Sequence, residues 1–151
     1  MSEGATRRTV HELVEQAAAR IERLEPAAAQ AAMGEGAVLV DIRSDSDRER
    51  DGIVPRSLHV PRTVLEWRLD PDSAWRSPHA PGLGERVVVL CDHGFSSVLA
   101  AATLVDLGFA GAADVLGGFA GWREAGLPVA FVGDVRREPD GRPGMGPPAP
   151  G

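Results

Sequence analysis

Cysteine is almost missing from this chain: among 151 residues, Cys91 is the only one. A single cysteine excludes an internal disulfide and any zinc site built from several cysteines, and no metal site is expected. Long apolar runs are missing too. Nothing approaches the roughly 18 consecutive apolar residues that cross a bilayer. The opening MSEGATRRTVHELVEQ lacks the basic-then-apolar order of a signal peptide. No membrane association is expected, and the location expected is cytoplasmic, where a reducing medium keeps a lone thiol free. Basic residues are outnumbered, 16 against 22 acidic, for a net charge of -6. That balance gives no general attraction to nucleic acid. No internal repeat is visible.

What is present suits one globular domain with spare length at its ends. Hydrophobic residues make up 43% of the chain, enough for an ordinary core. Thr9 to Leu24 has the spacing of an amphipathic helix, with Val10, Leu13, Val14, Ala17, Ile21 and Leu24 recurring on one face. Thr9 and Glu12 can form a capping box at its start. Pro26 to Met33 predicts a second short helix, ended by Gly34 and Gly36. Residues 37–41 (AVLVD), 57–60 (SLHV), 86–90 (RVVVL) and 112–116 (AADVL) are short apolar strands, best explained by burial on both faces. Between them, Ser96 to Leu107 and Phe119 to Glu124 predict helices, residues 43–51 a charged surface helix or turn, Val64 to Arg68 a helical turn, and residues 70–85 a loop. Strands alternating with helices imply an α/β fold with a parallel sheet covered on both faces. We divide the chain into an N-terminal helical extension (residues 1–21), a domain (22–132) and a tail (133–151). Five prolines and five glycines in that 19-residue tail predict disorder.

Cys91 follows the clearest strand and opens the loop Cys91-Asp92-His93-Gly94-Phe95-Ser96-Ser97. In parallel sheets, sites form beyond the carboxyl ends of the strands. Gly94 can take φ > 0, which turns successive N–H groups toward one centre. The following helix adds unsatisfied N–H donors and a partial positive charge. These features predict an anion cradle around the sulfur, with Ser96 and Ser97 capping the helix or donating hydroxyls to it. His93 is a candidate acid or base. Asp92 would oppose a thiolate if it pointed inward, and is expected to point out. The plain alternative is a cysteine that serves as a small buried hydrophobe.

Three segments in register then resemble the rhodanese-like domain family of single-domain sulfurtransferases. The loop at Cys91 is similar to the family's Cys-x-x-Gly-x-Arg-Ser/Thr. Val40-Asp41-Ile42-Arg43, followed by residues 52–61 (GIVPRSLHVP), resembles its Asp-x-Arg and Gly-His-Ile-Pro-Gly-Ala segments. Leu116-Gly117-Gly118-Phe119 to Trp122, then Gly126-Leu127-Pro128, is similar to its C-terminal signature. The resemblance covers roughly residues 22 to 130. It implies a three-layer rhodanese-like fold with a central five-stranded parallel sheet. It also implies sulfur transfer without a separate cofactor: Cys91 takes a sulfane sulfur from a small donor, thiosulfate or a persulfide, and passes it to cyanide or a thiol. Asp92, His93, Gly94, Phe95, Ser96 and Ser97 would hold the substrate, and Asp41 and Arg43 would brace the neighbouring loops.

This chain departs from the family pattern in three places. Ser96 stands where the family places arginine, Ile53 where it places histidine, and Arg56 where it places glycine. The missing loop arginine weakens the case for thiosulfate as donor. Arg62 or Arg68 is a candidate replacement, with Trp67 as an apolar wall; the alternative is surface arginines and a core tryptophan. Trp122 is expected in the core. A cysteine phosphatase would need arginine at the position of Ser97. A redox-sensing or partner-binding module and a sulfur carrier are the other readings.

Overall fold

The computed structural model describes residues 6–134, so the tail from residue 135 onward lies outside the described residues. Five strands form one all-parallel sheet in the order β1-β5-β4-β2-β3. They are β1 (Glu22–Leu24), β2 (Val38–Asp41), β3 (Leu58–His59), β4 (Val87–Leu90) and β5 (Ala113–Val115). Among the described residues, six α-helices accompany them: α1 (Val10–Ala18), α2 (Pro26–Gly34), α3 (Asp45–Asp51), α4 (Leu65–Leu69), α5 (Ser96–Asp106) and α6 (Gly118–Glu124). Every side chain of β2 and β4 is buried, as expected for strands covered on two faces.

Alternation along the strands sorts the core into two layers. Val38 and Val40 of β2 join Val87 and Val89 of β4, and this layer packs with Leu65 and Leu69 of α4 and Ala101 and Leu104 of α5. On the opposite face, Leu39, Val88, Leu90 and Val115 pack with Ala29 and Ala32 of α2 and Phe119 and Trp122 of α6. Trp122 is therefore a core residue, and its Nε1 donates to the Pro128 carbonyl at 2.8 Å. Trp67 is not: it lies 56% exposed on α4, outside the core.

The first helix is shorter than its periodicity predicts. The capping box at Thr9 and Glu12 is formed, but the helix stops at Ala18, and residues 22–24 become edge strand β1. Ile21 and Leu24 fit either period, and the free edge of β5 decides between them. β1 supplies that edge with a partner, and its side chains alternate, Leu24 into the core and Arg23 against Asp114. The helix itself packs on α5 through Ala17, Val98 and Ala102.

The charged stretch 43–51 is less exposed than its composition predicts. Asp41, at the end of β2, is fully buried and takes two bonds from the Arg43 guanidinium, at 2.9 and 3.1 Å, and one from Arg48 at 3.3 Å. Arg43 also donates to the Gly52 carbonyl at 2.8 Å and lies 4.0 Å over the Phe119 ring. Two positions show how the departures fit. Ile53 is buried and pairs with Ala130 in an antiparallel bridge. Arg56 holds φ 69°, a left-handed conformation that favours glycine, so its side chain is carried at some conformational cost.

Removing the Asp41 carboxylate takes the shared counter-charge from two buried guanidinium groups. Asp41→Ala is expected to lower the unfolding free energy by about 3–5 kcal/mol, read from urea denaturation.

Candidate active site

The chain runs outward in opposite directions from β2 and β4, so the crevice between their carboxyl ends is the topological switch point. Arg43 follows β2 there and Cys91 follows β4. Cys91 is 5% exposed, and its sulfur has two defined partners. The Gly94 N–H donates to Sγ at 3.1 Å, and the thiol lies 3.2 Å from Ser97 Oγ, to which it donates. Gly94 takes φ 87°, as the cradle requires, and a Cβ there would lie 2.8 Å from the Gly117 nitrogen.

Behind the loop stands a buried chain of polar groups. Ser97 Oγ donates to Asp114 Oδ2 at 2.7 Å. Asp114 is fully buried on β5, directly opposite Arg23 of β1 in the sheet register. Arg23 binds its carboxylate through Nε at 2.9 Å and Nη2 at 3.0 Å, and Nη2 also donates to the Gly94 carbonyl at 2.7 Å. One guanidinium thus ties the loop backbone to the sheet. Ser97 therefore neither caps α5 nor gives its proton to the sulfur. The residue before α5 is Phe95, with no side-chain cap, and the Ser97 proton goes to Asp114.

The start of α6 fixes the other side of the loop. Phe119 N–H donates to the Cys91 carbonyl at 2.8 Å and Ala120 N–H to the Asp92 carbonyl at 3.0 Å. These bonds require backbone-to-backbone approach. A Cβ on Gly118, which holds φ 60°, would lie 2.5 Å from the Cys91 oxygen and 2.7 Å from the Asp92 oxygen.

Among the described residues, no other candidate side chain bonds to the sulfur. His93, Phe95 and Ser96 are exposed. Asp92 turns away from the sulfur toward α3, with Arg43 Nη1 at 3.8 Å. Burial, and then Asp47 beside it, push its carboxyl above the usual carboxylate range, against the pull of Arg43 and His93. Arg62 is held by Glu66, one turn on, at 2.9 and 3.0 Å. Arg68 donates to the Trp75 carbonyl at 2.9 Å. A cavity of about 210 Å³ beside the loop is lined by Arg50, Asp92, His93, Phe119 and Arg123. A larger one of about 440 Å³ is lined by Met33, which precedes β2, Val54 and Arg56, which precede β3, and Trp122 of α6; neither Cys91 nor its loop lines it. Arg23 and Asp114 escaped the sequence reading, which took Gly118 only as part of the C-terminal signature. The signal for Asp114 was available, since a carboxylate inside an apolar strand needs a buried partner.

A cysteine-bearing loop between a central parallel strand and a helix is the candidate site of this α/β domain. The rhodanese-like domain profile matches residues 25–125. Thiosulfate sulfurtransferase GlpE of Pseudomonas syringae pv. syringae is 41% identical over 101 residues, covering 67% of this chain and 86% of that protein. A solved Rhodopseudomonas palustris structure, described as a protein of unknown function and possible tyrosine phosphatase, aligns with TM-score 0.75 and 36% identity, covering 85% of this chain and 98% of that one. The polysulfide-sulfur transferase homodimer of Wolinella succinogenes aligns with TM-score 0.64 and 27% identity, covering 78% of this chain and 84% of that one. The chain belongs to the rhodanese-like domain family, and it is a rhodanese-type sulfurtransferase.

Gly118→Ala is expected to lower kcat/KM for sulfur transfer about 100-fold by displacing the loop backbone. Gly126→Ala is the control. It has φ 74° but nothing within 4 Å of an added Cβ, so it should lose stability with little change in rate. Equal rate losses in the two variants would show that strain alone, rather than loop placement, is responsible.

Proposed function

We propose that Cys91 is the sulfur-carrying nucleophile and that thiosulfate or a small persulfide is its donor. The observation that carries this reading is the sulfur's own setting: Sγ at the end of the central strand, bonded by the Gly94 N–H at 3.1 Å in a loop that opens a helix. In the first half-reaction the Cys91 thiolate attacks the outer sulfur of the donor. The donor's S–S bond breaks, sulfite or a thiolate leaves with the electron pair, and Cys91 holds the persulfide Sγ–S⁻. Cyanide or a thiol then attacks the terminal sulfur and returns the Cys91 thiolate. No oxidant or reductant enters, and the sulfur rides on the protein itself, so the reaction as proposed uses no separate cofactor. The N–H groups of the first turn of α5 have no acceptors within the helix and favour the anionic intermediate.

Without an arginine at Ser96, the donor's charged end needs another cation. Arg123 and His93 border the 210 Å³ cavity beside the loop. Arg62 offers a guanidinium from the segment after β3, held among the described residues by partly buried Glu66. Arg68 is the weaker candidate because the Trp75 carbonyl already occupies it. Phosphoryl transfer, the activity suggested for the R. palustris protein, calls for a bidentate arginine over the phosphate. Residues 92–97 contain none. Small-molecule donor and acceptor are the partners proposed, with no nucleic acid, and a reducing cytoplasm suits a reaction that begins from a free thiol.

Incubation with thiosulfate should add one sulfur atom, about 32 Da, to the intact protein by mass spectrometry, in line with covalent catalysis. The gain should vanish on adding cyanide and be absent in Cys91→Ser. Failure of thiosulfate, polysulfide and a small persulfide alike to leave an adduct would refute the proposal.

A further inference from the structure

Cys91 is buried, yet a cycle that starts from the thiol requires its sulfur to lose a proton before the donor is attacked. The described contacts of Sγ include no histidine and no water-facing base. They do include Ser97 Oγ at 3.2 Å, which hands its own proton to Asp114 Oδ2 at 2.7 Å. We propose that Asp114, acting through Ser97, is the proton acceptor for the Cys91 thiol. The inference rests on Cys91 being the nucleophile, as argued above.

The step balances without any outside reactant. The S–H proton moves to Ser97 Oγ as the Ser97 hydroxyl proton moves to Asp114 Oδ2. The products are a Cys91 thiolate, an unchanged Ser97 hydroxyl and a neutral Asp114 carboxyl. The Arg23 guanidinium on both carboxylate oxygens works against protonation of Asp114, and the need to keep a single negative charge in the buried site works for it. If Asp114 stayed ionised, a thiolate two hydrogen bonds away would place two anions against one nearby cation in a buried site. Passing the proton to Asp114 keeps the count of negative charges constant. Arg23, from β1, then faces the sulfur without a full counter-charge. It is 28% exposed along its side chain, contacts both Asp114 and the Gly94 carbonyl, and feels Cys91 electrostatically. It thereby provides, from beneath the loop, some of the positive charge that the loop lost when Ser96 took the place of arginine.

The groups around Asp114 allow the assignment to be tested. Arg23 faces it from β1, Ser97 from α5, and Cys91 lies beyond Ser97 in the loop. Asp114 acts through Ser97 and does not touch the donor, so it is a positioning and proton-accepting residue. Its neighbour in the chain, Val115, faces the opposite core layer.

The test is the rate of Cys91 alkylation by iodoacetamide across pH 6 to 9, followed by mass spectrometry. This reads thiol reactivity without any sulfur donor, so its outcome is independent of which donor the protein uses. Asp114→Asn and Ser97→Ala should both alkylate about 10–100-fold more slowly at pH 7 and depend more steeply on pH. Ser97→Thr, which keeps a hydroxyl, should restore the wild-type profile. The double variant Arg23→Gln, Asp114→Asn replaces the charge pair by neutral amides of similar shape and removes the risk of a stranded buried arginine; it should be as slow as Asp114→Asn. If Asp114 were merely an opposing anion, Asp114→Asn would alkylate faster than wild type. Unchanged or faster alkylation in Asp114→Asn and in the double variant overturns the relay, as does a slow Ser97→Ala beside a normal double variant.

Discussion

Everything at the site depends on how closely the start of α6 lies against the loop that carries Cys91. Two N–H groups of that helix take the Cys91 and Asp92 carbonyls, and a glycine at 118 is what lets the two backbones meet. Because those carbonyls are drawn toward α6, the loop's N–H groups are free to turn inward. Gly94, at φ 87°, is the residue that completes the turn and brings its N–H onto the sulfur. The Gly117-Gly118 pair is thus part of the active-site loop's construction although it lies more than twenty residues downstream of Cys91.

Two buried carboxylates stand on opposite faces of the sheet and divide the electrostatic work. Asp41 gathers Arg43 and Arg48 at the end of β2 and fixes the loop that faces the crevice. Asp114 gathers Arg23 and Ser97 under the Cys91 loop. Each is satisfied by charge-assisted bonds, which is what allows a charged group to sit in such a core. The difference lies in their reach. Asp41 ends in a closed brace, whereas Asp114 is linked through one hydroxyl to the Cys91 sulfur.

The layout was largely legible in the sequence because its strands are short, apolar and bounded by glycine and proline. The run of valines at 87–89 announces β4, and Cys91 at its end is where an α/β sheet places reactive groups. The overlong first helix shows the limit: Ile21 and Leu24 match helical spacing, and only the partnerless edge of β5 makes residues 22–24 a strand. Arg48 looked like surface charge because the composition of that stretch does not show that the buried Asp41 carboxylate, seven residues earlier, binds it. Arg23 and Asp114 are 91 residues apart, so nothing local links them before β1 and β5 are paired. Ser97 was correctly placed near the sulfur, but the direction of its hydroxyl depends on Asp114 and could not be read from the loop alone.

The central claim is that sulfur passes through a covalent Cys91 intermediate, so that donor and acceptor never need to be bound together. Steady-state thiocyanate formation, with thiosulfate and cyanide varied against each other, addresses this directly. A covalent intermediate predicts parallel lines in double-reciprocal plots, the signature of a ping-pong reaction. Intersecting lines, showing a ternary complex of donor, acceptor and protein, would contradict it.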